Sequence, residues 1–414
     1  MFPAGASDFT RDHRLLAAIC SEYVTHIDTG WEVALKHHPN IQLLVATADR
    51  HGVLPLLAHC LLQAGISCEI AQSRAREIAA LNLRMAAENV RLIGALRSHG
   101  IQALAYKGPV LGQQLYNNLT LRQSRDIDIL VAPADVLRAR DIICQLGYRD
   151  LEESGKFLLK KVVSSNCEWQ MRGTHSGTII ELHWALFPRY ASIDLSVEEL
   201  KRASVDIEIV GERLRGLDIG HLALALSAHG TKHFWHRLGW LVDFALVLRK
   251  SDIEGGDQLL RAAKRKGMSR ILLITALLAN KVLGICLPKT FEEAIFADVS
   301  SRVLACELQH GLQGPGPEDL LQENIFRLRT RERWSDRVKI VSRLAFTPGP
   351  QEWNWVRLPQ WAEWLYRPVR IARAARYLPR IAQSAFHRRN SAVTNANAIS
   401  FPAKAQPLAY PLTI

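Results

Sequence analysis

Two carboxylates stand one residue apart in a stretch of sequence that otherwise has the character of a buried strand. Asp126 and Asp128 belong to RDIDILV (125–131), where Ile, Leu and Val surround them. Side chains two apart on a strand point to the same face, so these acids project together. Like charges at this separation repel each other unless a cation lies between them. Because Mg²⁺ (or Mn²⁺) binds carboxylates together with phosphate oxygens, the pair predicts a metal site that can hold a nucleoside triphosphate.

A third acid lies in a second strand-like run. Glu181 belongs to TIIELHW, residues 178–184, where its neighbours are mostly apolar. A lone carboxylate among apolar residues is costly unless it is paired or binds a metal. If this strand lies beside the strand of Asp126 and Asp128, Glu181 can join the pair. The expected site then contains three carboxylates.

A turn before a short predicted helix supplies residues expected to bind phosphate. Lys107 and Gly108 end the apolar run IQALAYKG, and Pro109 lies near the first turn of the next helix. A glycine at this point lets backbone amides approach an anion, and the start of a helix favours one. Lys107, Arg122 and Arg125 are expected to neutralise the charge of a triphosphate.

Each of these features also has an ordinary structural interpretation. A single D-x-D arises often by chance, and Asp126 can simply pair with Arg125. The combination Lys-Gly at a turn is a weaker signal still. The evidence for a site is the order of the features: the turn, then the seventeen residues 109–125, then the two acids, then the acid of a later strand.

A group of histidines gives a weaker signal further along the chain. His229 and His233 are four residues apart on a predicted helix, a spacing that can bind zinc. No glutamate completes an H-E-x-x-H arrangement, so a zinc site is not favoured. A packing role is the first interpretation of Lys232, His233 and Asp243, and contact with the acceptor or the nucleotide is the second.

The acids and the turn require a small sheet that positions them. Over residues 101–184 the pattern changes in the order strand, helix, strand, helix, strand, strand. We therefore predict an α/β or α+β unit with a small mixed sheet. Apolar residues at helical spacing before residue 100 and after residue 218 predict helical regions on both sides of this unit.

Changes in the pattern also divide the chain. A length of 414 residues is too great for a typical single core, so several subdomains are expected. We predict an N-terminal helical region over 1–100, the acid-bearing unit over 101–217 and a C-terminal helical domain over 218–346. A helical extension rich in Trp and Arg is expected over 347–388, followed by a disordered tail over 389–414.

The composition is that of an ordinary globular protein, with 48% hydrophobic and 22% charged residues. Seven scattered cysteines show no disulfide or zinc spacing, and the first 30 residues lack an apolar run of signal length. We therefore expect a cytoplasmic protein. The apolar run 271–287 contains Asn280, Lys281 and Gly284, so we interpret it as buried helix and predict no transmembrane segment.

The net charge of +12 is concentrated at one end of the chain. From Trp364 onward there are seven arginines and Lys404 but no acid, which leaves only +4 on residues 1–363. Nucleic acid is therefore not favoured as a partner of the body of the protein. Five of these arginines form a stripe on a predicted helix, at positions 367, 370, 373, 376 and 380. A solvated face is the first interpretation of this stripe, and contact with an anionic surface is the second.

The motifs together resemble the nucleotidyltransferase superfamily of the DNA polymerase beta type. In that superfamily a Gly-containing turn opens a helix, a D-x-D follows on the next strand, and a third carboxylate lies on a later strand. More narrowly, the chain resembles an uncharacterised bacterial nucleotidyltransferase family over roughly residues 30–380, most specifically in the 104–184 block. The matching segments are Lys107-Gly108, Arg122 with DIDILV, Gly147-Tyr148, ELHW at 181–184, and residues 229–243 and 365–370.

The resemblance implies a metal-dependent transfer of a nucleotidyl group from an NTP to an unidentified acceptor, which can be a small molecule, a peptide or a protein. Asp126 and Asp128 would be metal ligands, Glu181 would be the third carboxylate and a candidate base, and Gly108 would lie against the triphosphate. Pro109 departs from the superfamily, which usually has Gly or Ser there, and proline lacks an amide donor. This departure favours a second hypothesis, a nucleotide- or partner-binding module without turnover. A tRNA-modifying enzyme is a third.

Overall fold

The computed structural model describes residues 10–151, 163, 166–251, 253–312, 320–347, 352, 355, 356 and 358–375. The described chain begins with helices. They are α1 (Arg11–Thr25), α2 (Trp31–Lys36), α3 (Ile41–His51), α4 (Leu54–Gln63) and α5 (Glu69–Ser98). The side chains of Thr10 and Asn40 cap the starts of α1 and α3 by accepting a backbone N–H. Pro55 lies in the first turn of α4, where its missing N–H costs no helical hydrogen bond.

A mixed five-stranded sheet follows, with the spatial order β1-β2-β5-β4-β3. Its strands are β1 (Leu104–Ala105), β2 (Asp126–Leu130), β3 (Tyr148–Asp150), β4 (Glu168–Gly173) and β5 (Ile179–His183). Strands β2 and β5 run parallel, whereas the other neighbouring pairs are antiparallel. Helix α6 (Gly108–Tyr116) connects β1 to β2, and α7 (Val136–Gln145) connects β2 to β3. The parallel pair therefore lies inside the sheet, away from both edges.

A hairpin and a second group of helices complete the described chain. Helix α8 (Val197–Arg202) precedes the two-stranded hairpin of β6 (Val205–Ile209) and β7 (Glu212–Gly216). The remaining helices are α9 (Ile219–Lys232), α10 (Leu238–Lys250), α11 (Ile253–Lys266), α12 (Ser269–Leu283), α13 (Lys289–Ala297), α14 (Val299–Gly311), α15 (Leu320–Arg329), α16 (Trp334–Phe346) and α17 (Tyr366–Ala375). Short 3-10 helices lie at Arg189–Ala191 and Gln360–Leu365.

Two apolar cores hold these elements together. Ile127 and Ile129 of β2 belong to the core that the sheet shares with α5 and α7. The larger core joins the N-terminal helices to the helices after β7, with Leu57 and Leu241 among its fully buried members. The helices that precede the sheet in sequence and those that follow it therefore pack with each other in one core. The predicted domain limits stay predictions.

The alternation of β2 explains how a buried strand can carry acids. Ile127, Ile129 and the following Val131 point into the sheet core, so the alternate residues Asp126 and Asp128 project from the other face. Burial of the apolar face stabilises the strand, which fixes the direction of both carboxylates.

The predicted fold class, a small mixed sheet with helices on both sides, is confirmed. The prediction missed β3, because three residues are too short for a recognisable alternation, and it missed the β6–β7 hairpin. No helix among the residues that the structure describes is long and apolar enough to cross a membrane. The apolar run 271–287 mostly forms α12, which ends at Gly284 in the left-handed conformation. The predicted tail over 389–414 lies outside the described residues.

Candidate metal and nucleotide site

The parallel pairing of β2 with β5 brings the acids of the two strands side by side. In the register of this pair Asp128 lies opposite Glu181, and Leu130 lies opposite His183. Since alternate residues of a strand share a face, Asp126, Asp128, Glu181 and His183 all project from one face of the sheet. The neighbouring placement that a third carboxylate requires is therefore present.

Three side chains of this face are arranged as a metal-binding group. Potential ligand atoms of Asp128, Glu181 and His183 all lie within 4.8 Å of one another. Asp128 is only 1% exposed, and its Oδ2 has no hydrogen-bond partner. A buried carboxylate oxygen without a partner is costly, and a divalent cation would satisfy it. The residues present therefore fit a divalent metal, with the two carboxylates as its oxygen ligands.

Two cationic side chains contact Asp128. Lys107 Nζ and His183 Nε2 each lie 3.1 Å from Oδ1 of Asp128. Burial alone would raise the pKa of Asp128, but Lys107 and His183 outweigh burial and lower it. Burial also opposes the charge of His183, yet the carboxylates beside it, first Asp128 and then Glu181, hold its pKa well above the usual range. Asp128 is therefore an ionised carboxylate that leaves one oxygen for a further cation.

Asp126 is in a different electrostatic state. Burial, followed by the charges of Asp128 and Glu181, raises the pKa of Asp126 to about 7. It also lies outside the group of three side chains whose ligand atoms are within 4.8 Å of one another. A cation bound between the acids would favour the ionised form of Asp126. Its role as a metal ligand stays a prediction.

Glu181 is oriented by neighbours on both sides. Gln170 Nε2 donates to Oε1 of Glu181 at 2.9 Å, from the opposite position on β4. His183 Nε2 lies 3.4 Å from Oε2. Burial would raise the pKa of Glu181, but the hydrogen bond from His183 lowers it. Glu181 is therefore held ionised, with its carboxylate directed by two fixed donors.

His183 was not among the predicted site residues, although the sequence contained the signal for it. It lies two residues after Glu181 in ELHW. The same period-two argument that pairs Asp126 with Asp128 also places His183 beside Glu181 on the acid face.

The turn before α6 is fitted closely against the acid-bearing strand. Gly108 has a φ of +56°, which other L residues rarely adopt. A Cβ atom at this position would lie 2.6 Å from the backbone oxygen of Asp126. Glycine is therefore needed for both the conformation and the contact. Pro109, the second residue of α6, removes one amide donor from the start of this helix.

A family comparison covers the turn, both acid-bearing strands and α9 to α12. Residues 37–284 match the family described as "Uncharacterised nucleotidyltransferase", which is more than half of the 414 residues. The chain belongs to this nucleotidyltransferase family. No curated protein matches it.

In this nucleotidyltransferase-family chain, Arg122 and Asp243 form a largely buried ion pair with each other. Arg122 Nη2 lies 3.0 Å from Oδ2 of Asp243, and Nε lies 3.1 Å from both carboxylate oxygens. Arg122 Nη1 donates to the Gly108 carbonyl and to Ser124 Oγ, both at 3.2 Å. Tyr116 Oη donates to Asp243 Oδ1 at 2.9 Å. Because Asp243 is 1% exposed and every nitrogen of Arg122 has an acceptor, we assign both residues a role in positioning Gly108. Their predicted contacts with a ligand stay predictions.

A second arginine lies within electrostatic reach of Arg125 and of Asp126. Arg125 is exposed. The half-buried Arg237, which directly precedes α10, has a pKa that is lowered first by burial and then by the charge of Arg125. The two guanidinium groups therefore repel each other, and an anion between them would relieve this repulsion. Arg237 was not singled out from the sequence.

Ring side chains at the end of α9, in the loop after it and on α10 form a cluster. The Trp240 ring centroid lies 5.1, 5.5 and 4.7 Å from those of His229, His233 and His236, respectively. Burial, and then the charge of Lys107, lowers the pKa of His229 well below its usual range. Burial, followed by the charges of Lys232 and Lys107, lowers the pKa of His233 to about 3. These two histidines are therefore neutral at neutral pH. The predicted contacts of Lys232 and His233 with substrate stay predictions.

Proposed function

We propose that the protein transfers a nucleotidyl group from an NTP to an acceptor, in a reaction that requires Mg²⁺ or Mn²⁺. One observation carries this proposal. Asp128 lies opposite Glu181 on parallel strands, and Asp128 has a buried carboxylate oxygen without a partner. Membership of a nucleotidyltransferase family supports the general kind of activity.

In this proposal Asp128 and Glu181 bind the metal, and Asp126 completes the set of carboxylates. A bound divalent ion neutralises phosphate charge and lowers the pKa of an attacking hydroxyl. The acceptor oxygen forms a bond to the α-phosphorus, the bond from that phosphorus to the bridging oxygen breaks, and pyrophosphate leaves. Glu181 is the candidate group to receive the hydroxyl proton.

Cationic residues near the acids are proposed to hold the triphosphate. Lys107 already contacts Asp128, so it lies where the metal-bound phosphates would be. Arg125 and Arg237 stand close enough for one charge to lower the pKa of the other. Charge-assisted hydrogen bonds to phosphate would replace this repulsion by attraction. Catalysis of this type depends mainly on positioning and charge stabilisation.

A labelling experiment tests the proposal. The full-length protein is incubated with each α-labelled NTP, with Mg²⁺ or Mn²⁺, and with fractionated cell extract as the source of acceptors. We expect label on one class of acceptor, dependence on the metal, and loss of transfer in Glu181→Gln. Failure to bind any metal–NTP complex by calorimetry would overturn the proposal.

The second candidate function is nucleotide binding without turnover. Pro109 favours it, because the start of α6 has one amide donor fewer for the triphosphate. Calorimetric binding of a metal–NTP complex with no transfer to any acceptor fraction would support this alternative.

We expect Gly108→Ala to weaken binding of the metal–NTP complex at least about tenfold. The new Cβ would lie 2.6 Å from the Asp126 carbonyl oxygen, and the positive φ adds roughly 1–2 kcal/mol of strain, so the turn has to move away from the acids. Calorimetric titration measures the affinity. Gly112→Ala is the matched control in the same helix, because its Cβ would meet no described atom closer than 3.5 Å. Equal affinities of the two variants would contradict this role of Gly108.

A further inference from the structure

A small cavity lies where the end of α9 meets the segment after β5 and the loop between α15 and α16. Its volume is about 40 Å³. This exceeds the ~10–15 Å³ that one water molecule needs. One part of the lining is apolar and includes Phe187, Ile193 and Ile271. The described lining residues include three cations and no acid, the cations being Lys232, Arg327 and Arg331.

Arg331 is buried in this cavity with most of its donors unused. It is 1% exposed. Its Nη2 donates to the Ser192 carbonyl at 2.9 Å and to Asp336 Oδ2 at 3.1 Å. Its Nε and Nη1 are buried and have no acceptor. These two atoms carry three of the five N–H bonds of a guanidinium. Buried donors without acceptors are rare in folded proteins and call for a ligand or water.

Thr231 adds a second unsatisfied group to the same cavity. It is 4% exposed, and its Oγ1 has no hydrogen-bond partner. A hydroxyl can donate to an anion while it lies beside a guanidinium. The half-buried Lys232, the next residue along α9, adds a positive charge to the lining. The polar part of the cavity therefore offers donors and positive charge, which suits an anion.

The end of α9 relates the cavity to the proposed catalytic site. Phe187 comes soon after β5, the strand that carries Glu181. Thr231 is in the last turn of α9, and His233 follows that turn directly. After burial, the charges that lower the pKa of His233 include those of Lys107 in the catalytic turn and Arg327 in the cavity lining. The end of α9 thus lies within electrostatic reach of both sites.

We propose that this cavity binds an anionic group, a carboxylate or a phosphate, of the acceptor substrate. Arg331 and Thr231 donate hydrogen bonds to the anion, and Lys232 neutralises its charge. The apolar part of the lining contacts the carbon skeleton of the acceptor. That the ligand is an acceptor rests on the proposed function, whereas the anion site itself depends only on the cavity.

Small anions test the cavity directly. The full-length protein is titrated with inorganic phosphate and, separately, with acetate, at an ionic strength held constant with chloride. Thermal unfolding measures binding, because a ligand that binds only the folded state stabilises it. We expect saturable stabilisation by one anion, which distinguishes a phosphate from a carboxylate site. Absence of saturable stabilisation by both anions would mean that the cavity holds water only, and it would overturn the inference.

Variants assign any anion binding to this cavity. We expect Thr231→Val, which preserves the shape of the side chain, to weaken it about five- to tenfold, and Arg331→Lys to weaken it at least about tenfold. Arg329→Gln is the control, because Arg329 pairs with Glu307 and does not line the cavity. If Arg331→Lys does not fold, Thr231→Val alone decides. Wild-type affinity in Thr231→Val would place the anion elsewhere and overturn the inference.

The two proposals fail in different ways. Anion binding that depends on Thr231, in a protein that transfers no nucleotide, would remove the proposed function and leave the anion site. Nucleotide transfer by a protein that shows no such anion binding would remove the anion site and leave the proposed function.

Discussion

Asp128→Asn is expected to lower the rate of nucleotidyl transfer by about a thousandfold or more, since a metal that stabilises transition-state charge contributes several kcal/mol. The substitution keeps the size of the side chain but removes the charge that holds the cation. The amide group that replaces the carboxylate is uncharged and binds a metal poorly. The position of the buried Oδ2, which has no partner in the wild-type protein, then no longer attracts a cation. The initial rate with saturating NTP and metal is the measurement. Calorimetry with Mn²⁺ should show a parallel loss of metal affinity.

Glu168→Gln is the control for this variant. Glu168 lies on β4, and its Oε2 is 3.6 Å from Nδ1 of His183, on the side of the imidazole away from Asp128. It undergoes the same chemical change beside the cluster without belonging to the metal-binding group. We expect its rate to stay within about threefold of the wild-type rate. A rate of Asp128→Asn similar to that of Glu168→Gln would exclude Asp128 as an essential ligand.

Asp243→Ala should lower the free energy of unfolding by about 3–5 kcal/mol. The variant leaves Arg122 buried without its counter-charge, and Tyr116 loses the acceptor of its hydroxyl. Urea unfolding followed by tryptophan fluorescence gives the free energy. Tyr116→Phe is the control, because it removes one hydrogen bond and no charge, and should cost about 1 kcal/mol.

A double variant separates stability from positioning. Replacement of both charges, in Arg122→Met with Asp243→Leu, should recover much of the stability, since apolar residues can replace a buried ion pair. We expect its affinity for the metal–NTP complex to be lower than that of the wild-type protein, because the Gly108 carbonyl has lost its donor. If Asp243→Ala costs no more than Tyr116→Phe, the ion pair is not what holds this part of the fold.

The chemistry of the site could be predicted from the sequence because it depends on local periodicity. Asp126 and Asp128 had to share a face if their segment was a strand, and the same holds for Glu181 and His183. His183 could therefore also be predicted, because it lies two residues after Glu181 on the same strand. The special backbone conformation at Gly108 could also be predicted from the sequence, since a glycine between a strand and a helix indicates one.

The surroundings of the site could not be predicted in this way. Arg122 meets Asp243 across 121 residues, and no local pattern indicates that contact. The ion pair was therefore not predicted, and the predicted phosphate contact of Arg122 stays a prediction. The anion cavity is assembled from the segment after β5, the end of α9 and the loop after α15, so it exists only in the folded chain. Arg237 likewise comes within electrostatic reach of Arg125 only in the folded chain.

The parallel register of β2 and β5 determines when, during folding, the proposed metal ligands on the two strands come together. Strand β5 pairs with β4 through a short connection, whereas Asp128 and His183 are 55 residues apart along the chain. Local pairings form sooner than distant ones, because less chain entropy is lost when a short loop closes. A slip of one residue in the β2–β5 pairing would turn Glu181 and His183 to the opposite face. During synthesis, the proposed ligand set is therefore completed only after β5 has left the ribosome and paired in register, so a shorter nascent chain would lack the proposed metal site.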